Sequence, residues 1–63
     1  MIELLYTSGN LAYEVELTGE WDDNNNVING TLTFKHVDGE ITTEKIDGTI
    51  SEIDAYVQNK INL

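Results

Sequence analysis

The sequence predicts an α+β fold: a four-stranded antiparallel meander in the order 1-2-3-4, with one C-terminal helix packed on one face. Three observations carry this expectation. The glycines stand at positions 9, 19, 30, 39 and 48, the rhythm of short strands joined by turns. The segments between them are rich in Thr, Val, Ile, Tyr and Leu, which suit strands, and no proline interrupts a ladder. After Gly48 the apolar period changes from that of a strand to that of a helix. With 63 residues, the chain makes one domain, 1–63.

The first hairpin follows from taking Gly9-Asn10 as a two-residue type II′ turn. Tyr6 then faces Tyr13, Leu4 faces Val15 and Ile2 faces Leu17, so one face is wholly apolar. The other face sets Leu5 against Glu14 and Glu3 against Glu16. For the second hairpin, Asn24-Asn25 suits a type I′ turn, because asparagine tolerates positive φ. Trp21 then faces Ile28, Gly19 faces Gly30, Leu17 faces Leu32, Val15 faces Phe34, Glu14 faces Lys35 and Tyr13 faces His36. The third hairpin takes Asp38-Gly39 as its turn and sets His36 against Ile41, Phe34 against Thr43 and Leu32 against Lys45. That register points Lys45 inward and Ile46 outward, so it also predicts a bulge or a strand end near Ile46.

In the last segment Ile50, Ile53, Val57 and Ile61 recur at helical spacing. Thr49 and Glu52 fit a capping box. Glu52 and Asp54 near the start and Lys60 near the end complement the helix dipole. The expected core is Ile2, Leu4, Tyr6, Tyr13, Val15, Leu17, Leu32, Phe34, Ile41, Ile50, Ile53, Val57 and Ile61.

Composition bounds the chemistry. A chain this short leaves much of its surface exposed, so its stability is expected to be marginal. Cysteine is absent and there is one histidine, which excludes disulfides, thiolate zinc sites and His-rich metal sites. No catalytic residue is assigned: Ser8 and Ser51 fall at a turn and a helix start, and His36 reads as a sheet residue. No cofactor is expected. Asp22, Asn24 and Asn26 begin like a calcium loop, but Val27 stands where glycine is needed and Thr33 where the closing acid is needed.

Twelve acids face three lysines, for a net charge of −9. Such a chain repels nucleic acid and anionic membranes and attracts a basic partner. The first ten residues carry no basic start and no long apolar run, which predicts a cytoplasmic protein. Two sets of residues are the candidate partner contacts. One is an arm, residues 19–30, that projects past shorter neighbouring strands and bears Trp21, Asp22 and Asp23. The other is the sheet face away from the helix, with Glu3, Glu14, Glu16, Glu20 and Glu44. Glu14 and Glu16 stand about 6.7 Å apart along a strand. That row is sparser than the charges of duplex DNA, so several rows are needed to imitate one.

In size, acidity and lack of catalytic residues the chain resembles the small inhibitors that phages make against host defence or DNA-processing enzymes, such as anti-CRISPR proteins and uracil-DNA glycosylase inhibitors. The resemblance is compositional and carries over no residue. It implies a stoichiometric inhibitor acting in the host cytoplasm, in the manner of a DNA mimic. The expectation is therefore a non-enzymatic acidic protein that occupies a basic surface, such as that of a nucleic-acid-binding protein. The alternatives are a self-assembling β-sheet protein, with a homodimer as its simplest form, and a small-ligand sponge at a protomer interface.

Overall fold

The computed structural model describes residues 1–9 and 11–61. Four strands, β1 (Ile2–Thr7), β2 (Tyr13–Trp21), β3 (Val27–His36) and β4 (Ile41–Gly48), form one antiparallel sheet in the order β1-β2-β3-β4. Helix α1 (Ile50–Ile61) follows and lays Ile53, Val57 and Ile61 on the sheet. The fold is the expected α+β meander. Its registers differ from expectation, and the turns explain how.

Both later hairpins close through three-residue loops rather than two-residue ones. Asp22 N–H donates to Asn26 O at 2.9 Å, and Asn25, at φ 62°, takes the left-handed conformation inside the loop. His36 N–H donates to Glu40 O at 2.9 Å, and Gly39, at φ 99°, plays the same part. A turn followed by one left-handed residue is the standard three-residue hairpin. Each extra loop residue moves the register by one.

On β3 that shift is then cancelled. Trp21 pairs with Val27 and Glu20 with Ile28 at the tip, but Thr18 pairs with Thr31 beyond a bulge. The bulge lies at Asn29, whose φ is 53°. Below it, Leu17–Leu32, Val15–Phe34, Glu14–Lys35 and Tyr13–His36 pair as expected. Above it, the faces are exchanged: Val27 turns into the core and Ile28 turns out.

The β3–β4 ladder has no such correction below the bulge. Leu32 pairs with Glu44, Phe34 with Thr42 and Gly30 with Ile46. The expected pairs Leu32–Lys45, Phe34–Thr43 and His36–Ile41 do not form. This one-residue difference resolves the misfit in the expected register, because a slip of one exchanges faces. Ile46 now packs against the core, and Lys45 points to the outer face, where its Nζ donates to Thr31 Oγ1 at 3.3 Å.

The first hairpin differs by two residues, which preserves the faces. Leu4 pairs with Leu17, Tyr6 with Val15 and Ile2 with Gly19. Tyr13 faces Ser8 instead of Tyr6, with Ser8 N–H donating to Tyr13 O at 3.1 Å. The buried Ser8 hydroxyl also accepts from Tyr13 N–H at 3.0 Å. The proposed Gly9-Asn10 turn includes Asn10, which lies outside the described residues.

The buried core is Ile2, Val15, Leu17, Val27, Leu32, Phe34, Ile53, Val57 and Ile61, flanked by Tyr6, Tyr13, Ile46 and Ile50. Two expected core residues fall outside it. Ile41 is 62% exposed at the start of β4, and Leu4, on the edge strand, is 38% exposed. Val27 and Ile46 replace them, each delivered inward by a shifted register. The helix start is the expected capping box: Glu52 N–H donates to Thr49 Oγ1 at 3.1 Å, and Thr49 N–H to Glu52 Oε1 at 3.1 Å.

Candidate interaction surfaces

The acidic residues singled out in the sequence divide among three places. Strand alternation puts Glu3, Leu5 and Thr7 of β1, Glu14, Glu16, Thr18 and Glu20 of β2, Thr31, Thr33 and Lys35 of β3, and Ile41, Thr43 and Lys45 of β4 on the face away from the helix. The four glutamates occupy the β1–β2 half, while Lys35 and Lys45 occupy the other. The like-charge pair expected between Glu3 and Glu16 does not exist. Glu3 faces Thr18, and Glu16 lies between Leu5 and Thr33, so each carboxylate is flanked by uncharged neighbours across the ladder.

Glu44 is not on this face. The β4 register places it opposite Leu32, on the helix side, where it accepts hydrogen bonds from Lys60 and Tyr56. The bond from Lys60, then that from Tyr56, holds its carboxyl below the usual carboxylate range. Lys60 Nζ also lies 5.0 Å from the Phe34 ring centroid. Glu44 is thus a clamp between β4 and α1, and its expected place in the outer acidic row is withdrawn.

The arm is shorter than expected. β1 reaches Gly19 and β4 reaches level with Val27, so only 20–26 project. Trp21 is 45% exposed and does not join the core cluster. It lies opposite Val27, on the helix side, and therefore shares no face with Glu20. Asp22 is engaged within the loop: its Oδ1 accepts from Asn24 N–H at 2.8 Å and Asn26 N–H at 2.9 Å. The asparagine run thus has a local explanation, an Asx turn with a left-handed residue. Asp23, exposed at the tip, is the freer carboxylate for a partner to meet.

Edge strand β1, whose pairing with a second copy is the self-assembly alternative, contributes only Glu3 to the expected partner contacts. Leu4 and Leu5, on opposite faces of β1, are both exposed, Leu5 at 68%. Exposure of Leu4 could not be read from alternation, which assigns it to the core side. His36 stacks edge-on against Tyr13, with ring centroids 4.7 Å apart, as a sheet residue. Among the described residues no three metal-ligating side chains gather, and no helix is long and apolar enough to cross a membrane. A shallow concavity of about 420 Å³ lies over Tyr13, Phe34, Glu40, Thr42, Glu44 and Lys60, but Glu44 and Lys60 already engage each other there. Comparison with protein-family models, with curated proteins and with solved structures finds no match to this chain.

Proposed function

We propose that this chain is a non-enzymatic acidic binding protein that inhibits a partner by covering a basic surface, such as the nucleic-acid-binding face of a protein. The observation that carries this reading is the segregation of charge on the outer face. Glu3, Glu14, Glu16 and Glu20 stand together on β1 and β2, and the helix covers the opposite side. A cluster of acids on one half of a sheet face steers encounter with a basic partner and disfavours acidic ones. Asp23 extends the field at the tip, and Trp21 offers an aromatic anchor of the kind enriched at binding hot spots.

The test is capture of partners by the immobilised protein, with wild type compared against a variant carrying Glu3→Gln, Glu14→Gln, Glu16→Gln and Glu20→Gln. The wild type should retain a basic protein at low salt and release it as salt is raised, since exposed charges are screened within about 8 Å at physiological ionic strength. Competition by duplex DNA would locate the contact at the partner's nucleic-acid site. Equal capture by the neutralised variant would remove this reading. A self-assembling sheet protein is the second reading, favoured by the exposed leucines of edge strand β1. Light scattering over a concentration series distinguishes it.

A further inference from the structure

We infer that the outer edge of β1 is a strand-addition site, and that its occupant is an extended basic segment of the partner protein. The inference rests on the acidic-binder reading and gives that site a geometry.

β1 is an edge strand in the sheet order, and among the described residues no strand pairs with its outer side. The Ser8–Tyr13 hydrogen bond fixes which backbone groups are free of the ladder. In an antiparallel pair, hydrogen-bonded and non-hydrogen-bonded positions alternate. Ser8, Tyr6, Leu4 and Ile2 therefore bond to β2, and Glu3, Leu5 and Thr7 direct their N–H and C=O groups outward. Such a row is a template for another strand unless it is blunted.

The two edges of the sheet are blunted unequally. β4 carries Glu44, Lys45 and Asp47 within its span, and Glu44 is fastened to α1. β1 carries a single charge, Glu3, among Ile2, Leu4, Leu5, Tyr6 and Thr7. Leu4 and Leu5 leave apolar surface on both faces of that edge. A strand laid beside β1 would cover both leucines and complete the backbone bonds.

Charge selects the occupant. On the outer face the added strand lies next to Glu3, with Glu14, Glu16 and Glu20 on the strand behind. Lysine or arginine at alternate positions meets this acidic half, and apolar residues between them fall on the helix side against Leu4. A second copy could set Leu5 against Leu5 of its twin. It would also bring two sets of four glutamates onto one continuous face, each chain carrying a net charge of −9, and like charge opposes that union.

The probe is a synthetic six-residue peptide alternating lysine and valine, titrated into the isotopically labelled full chain. The expected result is amide shifts and slowed hydrogen exchange at Glu3, Leu5 and Thr7. Two controls isolate the backbone. The same peptide N-methylated at every internal amide keeps the charge but cannot donate to the β1 carbonyls, so it should bind at least about tenfold more weakly, main-chain bonds being the source of affinity in strand addition. Leu5→Pro removes an outward N–H, a position where edge strands tolerate proline, and should abolish the slowed exchange while melting shows the fold retained. Should that variant not fold, the N-methylated peptide decides alone. Equal binding of both peptides, with shifts centred on Glu14, Glu16 and Glu20, would overturn strand addition and leave the acidic-binder reading standing. No binding of either peptide at low salt would overturn both. A β1–β1 dimer of the free chain would overturn the choice of occupant.

Discussion

The Tyr6 hydroxyl donates a 2.5 Å hydrogen bond to Asp54 Oδ1, joining edge strand β1 to helix α1. Burial pushes the Tyr6 phenol well above its ordinary value of 10.0, and the bond to the Asp54 carboxylate and its charge push it the same way. A group whose pKa is raised by folding contributes stability below its unfolded pKa and loses it as pH rises through the folded one. Melting temperature should therefore fall as pH rises above 10, and Tyr6→Phe should flatten that fall. A melt series across that range checks it. An equal alkaline loss in wild type and variant would mean that Tyr6 is not the group responsible.

At the acid end the sign reverses. Glu44, through Lys60 and Tyr56, and Glu52, through Thr49, are both held below their ordinary 4.5. Their contribution is full above that value and is lost as pH falls through the depressed ones. Glu44→Gln should lower stability at neutral pH and lessen its decline in acid. Denaturant melts at neutral and acid pH measure both quantities.

Gly30 allows β3 and β4 to approach beside the Asn29 bulge. A Cβ on Gly30 would lie 2.4 Å from Ile46 O, closer than any real contact. Gly30→Ala should cost at least about 1–3 kcal/mol, the range for overpacked sites, measured by urea unfolding. Gly39 has open space around it, so Gly39→Ala should cost only the strain of a left-handed residue, about 1 kcal/mol.

Phe34 and Ile41 separate the core from its edge. Phe34→Ala should cost about 3–5 kcal/mol, enough to unfold a chain of this size. Ile41→Ala, at a site 62% exposed, should change stability by less than about 0.5 kcal/mol. Urea melts of the two variants side by side give the comparison. A large loss at Ile41 would return it to the core.

Trp21→Ala should leave thermal stability nearly unchanged, because the ring stands apart from the core cluster. If Trp21 anchors a partner, the same variant should lose more than about 2 kcal/mol of binding, the threshold for a hot spot. Calorimetry with the captured partner and a thermal melt on one preparation supply both numbers.

Strand order, helix and capping box were legible because each has a local cause: apolar alternation, a change of period, and Thr49 three residues before Glu52. The faces of β1 and β2 were legible too, since a two-residue slip preserves them. What escaped was loop length. Nothing in Asp38-Gly39 distinguishes a two-residue turn from a three-residue loop that uses Gly39 as its left-handed member, and that single residue decides whether Glu44 faces solvent or Lys60. Asn29 was similarly silent. Read as an ordinary residue of the strand, it is the bulge that brings Val27 inward. The exposure of Leu4 follows from β1 being an edge, which the expected strand order implies but the alternation that assigned Leu4 to the core does not register.

The order of elements has a consequence for synthesis. Each hairpin can close as soon as its own strands are made, but the side chains that cover the sheet, Ile53, Val57 and Ile61, all come from the helix that follows β4. A nascent chain that has finished its sheet therefore presents Leu17, Leu32 and Phe34 bare, beside the open outer edge of β1. Isolated strands with an uncovered apolar face are marginal and prone to associate. The excess of acids over lysines, most of it already present before Thr49, acts at that moment as well, keeping growing chains apart until the helix arrives.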